Sequence, residues 1–172
     1  MSFKEKYRLR VLTKALAAQK RSPLIRHAQD IKKVGVIWQP SQKEGINYLH
    51  DYFNRNHIIF RTYCVFDELS NPMEANNALT VNDLNWWGIP KPEKTQDFMA
   101  IHFDVLLNIA LKQNFILDYI TALTPADFKI GSTPNENNYF DLNIKIGENQ
   151  DTMFLVKQQI FYLAQLNKKH SR

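Results

Sequence analysis

The chain has 172 residues, of which 44% are hydrophobic and 23% are charged, as is typical of one soluble globular domain. Its single cysteine, Cys64, excludes an intramolecular disulfide and a multi-cysteine metal site. The sequence has no run of about 18 apolar residues and no recognisable secretory signal, which argues against a membrane-spanning helix and against export. We therefore expect a cytoplasmic protein.

The formal net charge of +5 is unevenly distributed along the chain. Residues 1–33 contain ten basic and two acidic side chains, a net charge of +8, whereas residues 34–172 contain 12 basic and 15 acidic ones, a net charge of −3. We predict a basic helical arm with its linker over residues 1–31, one α/β domain over residues 32–167, and a basic tail over residues 168–172.

The first predicted element is an amphipathic helix over residues 3–20, with apolar side chains every four residues and Pro23 after its end. Clustered cations attract phosphates, so the arm is a candidate site for RNA or a ribonucleoprotein. A basic amphipathic helix could instead lie on an anionic membrane surface, or pack against the domain in a purely structural role. The candidate polyanion-binding residues are Lys4, Lys6, Arg8, Arg10, Lys14, Lys20, Arg21 and Arg26.

Strands and helices alternate after the linker. The apolar run at 34–38 is typical of a strand buried on both faces, and the β-branched and aromatic residues of 58–66 indicate a second strand. Helical spacing over 46–53 lies between them, which suggests a right-handed parallel crossover. Ser41 and Glu44, three positions apart, predict a capping box where this helix begins.

Further elements continue the pattern to the end of the domain. The final strand, over residues 139–146, alternates apolar and polar side chains and is therefore predicted to be a half-exposed, antiparallel edge strand. We predict a three-layer Rossmann-like α/β fold, with an open and mostly parallel sheet and helices on both faces. Other strands are expected at 78–81, 103–109 and 128–131, and helices at 93–100, 115–123 and 151–166.

Ligands of an open parallel sheet bind beyond the carboxyl ends of its strands. Ser41, Asp67, Asn108 and Ser132 are predicted at those ends and are candidates for contact with a ligand or partner. No glycine-rich phosphate loop and no pair of histidines at helical spacing occurs, and Cys64 lies mid-strand. We therefore expect no catalytic residue, no metal site and no cofactor.

Trp86 and Trp87 form the most unusual local pair. Neighbouring side chains of an extended segment point to opposite sides, so at least one of the two indoles is expected to be exposed. An exposed indole can stack on a base, a sugar or a partner surface. Alternatively, the loop folds back over the sheet and both rings close the core.

Several segments resemble a family of small, uncharacterised bacterial α/β proteins with a basic N-terminal helix. The resemblance lies in residues 85–90, 103–108, 122–123 and 129–131, and it implies the fold over most of residues 1–165. Residues 103–131 are also similar to a strand–helix–strand segment in the acceptor half of heptosyltransferase-like glycosyltransferases. At the position where that family tends to have an acidic residue, this chain has Asn108.

The leading expectation is a non-enzymatic cytoplasmic protein whose basic helix binds RNA or a ribonucleoprotein, and whose domain contacts a partner near Trp86 and Trp87. One alternative is a small enzyme or sensor that binds a nucleotide or sugar phosphate at the strand ends. Another is a structural adaptor that pairs through an exposed edge strand over residues 139–146.

Overall fold

A computed structural model describes residues 1–68, 70–72, 76–136 and 138–166. The predicted basic tail, 168–172, lies outside these residues. The strands are β1 Lys33–Trp38, β2 Ile59–Val65, β3 Ala78–Leu79, β4 Phe103–Asn108, β5 Ala126–Gly131 and β6 Leu142–Asn143. The helices are α1 Phe3–Ala17, α2 Lys43–Arg55, α3 Pro92–Met99, α4 Phe115–Leu123 and α5 Thr152–Gln165.

The six strands form one open sheet in the order β3-β2-β1-β4-β5-β6, and every neighbouring pair is parallel. This is the strand order of doubly wound, dinucleotide-binding folds. The chain winds outward from β1 through β2 and β3, and then continues on the other side of β1 with β4. The prediction of an open, Rossmann-like α/β sheet is confirmed.

The predicted antiparallel edge strand is not confirmed. Residues 139–146 contribute only the two-residue strand β6, which pairs in parallel with Ile130 and Gly131 of β5. Residues 139–144 are half-buried or buried rather than exposed. Alternation of apolar and polar side chains is the same in parallel and antiparallel strands, so the pattern in the sequence carried no information on direction.

Helices cover both faces of the sheet. On one face, Leu49 of α2 and Leu155 of α5 belong to the same buried cluster as Val36 of β1. On the other face, Phe98 of α3 and Leu117 of α4 belong to a second cluster. The two apolar faces of the sheet are buried in this way, which gives the three-layer architecture.

Helix α1 packs on the outer side of α4. It begins after Ser2, whose hydroxyl accepts a hydrogen bond from the N–H of Glu5 at 3.1 Å, while the Glu5 carboxylate accepts one from the N–H of Ser2. Leu12 is 1% exposed and contacts the apolar end of α4 at Ala122 and Leu123. The arm is therefore docked on the domain. Within the described residues, no helix has the length and apolar character needed to cross a membrane.

Candidate nucleic-acid interface

Ser41 and Asp67, predicted at the ends of β1 and β2, are bonded to each other. The N–H of Ser41 donates a hydrogen bond to the Asp67 carboxylate at 3.2 Å, and the other oxygen of that carboxylate accepts one from the N–H of Ser70 at 2.8 Å. The carboxylate of Asp67 therefore takes the place where a phosphate would meet the backbone amides. Its negative charge would also repel a phosphate.

The predicted Ser41–Glu44 capping box is also absent. Residues 40–42 form a 3₁₀ turn, in which Gln39 and Gln42 cap each other: the N–H of Gln39 donates to the Gln42 side chain at 2.9 Å. This 3₁₀ turn precedes α2, which begins at Lys43, and Ser41 is exposed within the turn. Pro40 at the first position of the turn suits a helical start, so the turn begins one residue before Ser41 and Ser41 is not an N-cap.

Asn108 and Ser132, predicted at the ends of β4 and β5, are buried and hydrogen-bonded within the protein. Asn108 is fully buried; its amide donates to the side chains of Gln113 and Thr121, both at 2.9 Å, and accepts from the N–H of Ala110 at 3.0 Å. Ser132 is 3% exposed, and its carbonyl accepts a hydrogen bond from the Gln113 side chain at 3.2 Å. Asn108 and Ser132 therefore meet through Gln113, inside the protein.

A tight turn over residues 85–88 carries the two neighbouring tryptophans. The Asn85 side chain accepts hydrogen bonds from the N–H groups of Trp87 at 2.9 Å and Ile89 at 3.0 Å, and the N–H of Gly88 donates to the Asn85 carbonyl at 2.8 Å. Gly88 has a φ of +74°, a conformation that favours glycine. These bonds hold Trp86 at the tip of a well-defined turn.

Trp87 faces helix α1 and joins the turn to it. The ring of Trp87 lies 4.4 Å from that of Tyr7 and 6.2 Å from that of Phe3, between centroids. The Arg8 guanidinium donates a hydrogen bond to the Trp87 carbonyl at 2.5 Å. A Cβ atom at Gly88 would overlap the Arg8 guanidinium, so glycine is needed for this close approach as well as for the turn.

Trp86 is exposed. Its side chain is 88% exposed, whereas Trp87 is half-buried against α1. The prediction that at least one of the two indoles is exposed is confirmed, although the segment is a turn rather than an extended chain. Phe3, on the other side of Trp87, is 75% exposed. The contacts of Trp87 with Phe3, Tyr7 and Arg8 therefore place the tryptophan turn next to the basic arm.

Three of the eight predicted polyanion-binding cations attach the arm to the domain. Arg8 binds the tryptophan turn, and Arg21 forms a bidentate ion pair with Asp141 while also donating to the Ala126 carbonyl. Arg26 lies between two carboxylates, at 2.7 Å from Asp127 and 3.2 Å from Asp104. These three guanidinium groups are engaged in contacts within the molecule. The other five members of the predicted set, all exposed, are Lys4, Lys6, Arg10, Lys14 and Lys20.

Lys6, Arg10 and Lys14 form a row along α1, because residues four positions apart are neighbours on a helix surface. All three are exposed, on the side of α1 away from Leu12, and none pairs with an acidic residue in the part of the chain that the structure describes. Like charges at this spacing destabilise a helix by about 0.2–0.5 kcal/mol per pair. A contribution to helix stability therefore does not explain why three cations lie four residues apart on α1.

A family described as "Family of unknown function (DUF6913)" matches residues 4–166. The chain belongs to this family. The DUF6913 match includes α1 from Lys4 onward and the whole tryptophan turn, the two features described above. No curated protein matches the chain, and no solved structure matches it either.

Lys129 is a buried cation that the sequence analysis of this DUF6913 member overlooked. It is 2% exposed, and its ammonium group donates to the carbonyls of Thr121 at 2.7 Å and Ala122 at 2.8 Å. The Gln19 side chain donates to the next carbonyl, that of Leu123, at 3.1 Å. These bonds satisfy the last carbonyls of α4, next to the site where α1 docks.

Burial lowers the pKa of Lys129 to about 7, because the interior disfavours its charged form. The sequence itself indicates that the side chain of Lys129 is covered. Lys129 alternates with Phe128 and Ile130, so it points to the opposite face of a strand that was expected to be covered on both faces.

The remaining nucleophile and metal candidates show no assembled site. Burial raises the pKa of the Cys64 thiol to about 12, so the thiol stays protonated at neutral pH. His102 contacts Asp127 at 2.7 Å near the starts of β4 and β5, opposite the ligand-binding edge of such a sheet. Among the described residues, no three His, Cys, Asp or Glu side chains are grouped closely enough to hold a metal ion.

Proposed function

We propose that the protein is a non-enzymatic, cytoplasmic RNA-binding protein, which holds RNA or a ribonucleoprotein on the exposed face of α1. The observation that carries this proposal is the row of Lys6, Arg10 and Lys14, exposed opposite the docked face of the helix and unpaired with any acidic residue that the structure describes. A like-charged row lowers the stability of the free helix, and a phosphate backbone would relieve that repulsion.

Docking of α1 on the domain is the outcome expected for a purely structural helix, but it leaves the row of Lys6, Arg10 and Lys14 exposed. Leu12, Arg8 and Arg21 fix the helix to the domain, so the cations on its outer face are presented in a set geometry. A pre-organised surface loses less conformational entropy on binding than a free arm does. Release of the counterions condensed on RNA then supplies the driving force.

We also propose that the domain contacts a partner near Trp86. Its indole is 88% exposed, and the neighbouring Trp87 contacts Tyr7 of α1. The partner of the domain and the partner of the arm would therefore be the same molecule or members of one complex. Large exposed aromatic side chains are frequent in binding surfaces, where they bury much area at a small cost in conformational entropy.

The two alternative functions have less support. For a nucleotide- or sugar-phosphate-binding enzyme or sensor, the amides near Ser41 are already bonded to the Asp67 carboxylate, and Asn108 is buried. The likeness to heptosyltransferase-like enzymes rests on the same region and belongs with this alternative, and a bacterial source is likewise a prediction from resemblance. For an adaptor acting through residues 139–146, the strand is two residues long and half-buried.

The test compares two triple variants of the full chain. Lys6→Gln, Arg10→Gln and Lys14→Gln together remove the row on α1. The matched control, Lys43→Gln, Arg55→Gln and Lys157→Gln, removes the same charge from exposed positions on α2 and α5, on the other side of the sheet.

Binding of fluorescent mixed-sequence RNA is measured at 50 and 200 mM salt. For three phosphate contacts with a single strand, the affinity is expected to fall about 20-fold between these concentrations. The α1 triple variant lacks these three contacts, so its affinity is expected to fall less between 50 and 200 mM salt. The control triple variant is expected to bind like the native chain. No binding at low salt, or equal losses in both triple variants, would contradict the proposal.

A further inference from the structure

The side chain of Trp86 is held ready for stacking. The turn that carries it is fixed by four hydrogen bonds through Asn85, and its neighbour Trp87 is fixed against α1 by the rings of Tyr7 and Phe3. Trp86 itself is 88% exposed, so almost the whole indole is accessible to a flat ligand. A base that stacks on it would need no rearrangement of the turn.

Aromatic and cationic side chains adjoin each other on this surface. Phe3 is three residues from Lys6, and Tyr7 is three residues from Arg10, so each ring neighbours a cation on the helix surface. Phe3 is 75% and Tyr7 is 38% exposed. The cationic row and the exposed rings therefore run side by side along α1, next to the tryptophan turn.

This arrangement matches the two chemical components of a single-stranded nucleic acid, its phosphate backbone and its bases. Proteins that bind single-stranded nucleic acid combine cations along the backbone with aromatic rings that stack on successive bases. In a duplex the faces of the bases are stacked on each other, and only the phosphates are accessible to such a surface. Aromatic stacking therefore favours single strands, whereas the cations alone attract both forms.

We infer that the surface selects single-stranded RNA, with a base stacked on Trp86 and the phosphates along Lys6, Arg10 and Lys14. The inference rests on the proposed RNA-binding function and adds the class of RNA. An anionic membrane fits the surface less well, because an interfacial helix inserts a continuous apolar face. The apolar side of α1, centred on Leu12, is occupied by its contact with α4.

The experiment compares a single-stranded RNA with a duplex that has the same number of phosphates. Three variants of the full chain are measured beside the native chain: Trp86→Ala removes the ring, Trp86→Phe retains a smaller one, and Phe161→Ala removes another exposed ring, on α5. Thermal unfolding verifies that each variant is folded. Vesicles of neutral and anionic phospholipid are measured in parallel.

We expect the native chain to bind the single strand about tenfold more tightly than the duplex, as one stacked base would give. Trp86→Ala is expected to lose about that factor for the single strand and to keep duplex affinity within about twofold, whereas Trp86→Phe retains most of the preference. Phe161→Ala is expected to bind like the native chain.

The failures of the two proposals are distinguishable. If the native chain binds the single strand and the duplex equally, and Trp86→Ala changes neither, the single-strand inference is wrong while RNA binding stands. If Trp86→Ala weakens binding to anionic vesicles and leaves RNA binding unchanged, the indole serves a membrane surface and the inference is again wrong. If neither RNA binds at low salt, the proposed function itself fails.

Discussion

Docking of α1 depends on one side chain more than on any other, and truncation of that side chain is the sharpest test of the surface. Leu12 is the single buried residue of α1, all of which the structure describes, and it is 1% exposed against Ala122 and Leu123. Buried Leu→Ala substitutions cost about 3 kcal/mol or more, through lost transfer energy and the cavity that remains. At about 1.4 kcal/mol per factor of ten, Leu12→Ala is expected to raise the population of undocked arms about 100-fold.

Limited proteolysis with trypsin measures that population directly. Cleavage after Arg10 or Lys14 requires α1 to open, and its rate follows the open population when closing is faster than cleavage. The matched control is Leu9→Ala, the same substitution in the same helix at a side chain that is 44% exposed. Exposed substitutions change stability by about 0.5 kcal/mol or less, which limits the control to about a twofold change in rate.

The comparison of the two leucines can refute the reasoning. If Leu12→Ala is cleaved no faster than Leu9→Ala, α1 is not held by its contact with α4. The junction of the helix with the tryptophan turn would then be too loose to present a set surface. Mass spectrometry of the released N-terminal fragment identifies the bond that is cut and excludes cleavage elsewhere in the chain.

Three further predictions concern the support of this surface. Gly88→Ala places a side chain at a φ of +74° and against Arg8, so we expect a loss of about 1–2 kcal/mol and a lower Tm by calorimetry; an unchanged Tm would be contrary evidence. Because the pKa of Lys129 is about 7 in the folded protein and 10.5 ordinarily, the unfolded chain binds more protons between those pH values. In urea unfolding over pH 7–10.5, the free energy of unfolding of the native chain is therefore expected to rise by up to about 1.4 kcal/mol per pH unit relative to that of Lys129→Met. Free energies of unfolding that change with pH in parallel for the two chains would contradict the lowered pKa of Lys129. Asn108→Ala leaves the N–H of Ala110 unpaired and is expected to cost about 2–3 kcal/mol in urea unfolding without loss of RNA affinity; a stable variant that no longer binds RNA would show that Asn108 has a binding role.

Much of the fold follows from periodicity in the sequence. The apolar run at 34–38 became β1, because a strand buried on both faces needs continuous apolar side chains. The β-branched and aromatic run at 58–66 became β2, which is buried only over its last three residues. The direction of the edge strand did not follow, because side-chain alternation is independent of direction. It depends on how the chain returns beside β5, which is a tertiary property.

The candidate surface was only partly predictable. The sequence identifies every cation of the arm, but the loss of Arg8 and Arg21 to internal contacts depends on partners 79 and 120 positions away. The sequence indicates that at least one of Trp86 and Trp87 is exposed, but the packing of Tyr7 on Trp87 decides which indole is exposed. Long-range contacts, rather than local pattern, therefore joined two separate candidates into one surface.

The salt dependence of single-stranded RNA binding tests the central claim most directly. For single strands the slope of log K against log salt concentration is about −0.7 per phosphate contact. The account predicts that Lys6→Gln, Arg10→Gln and Lys14→Gln together make this slope less negative by about 2, while the Lys43, Arg55 and Lys157 control leaves it unchanged. Equal slopes for the native chain and the α1 triple variant would contradict the account.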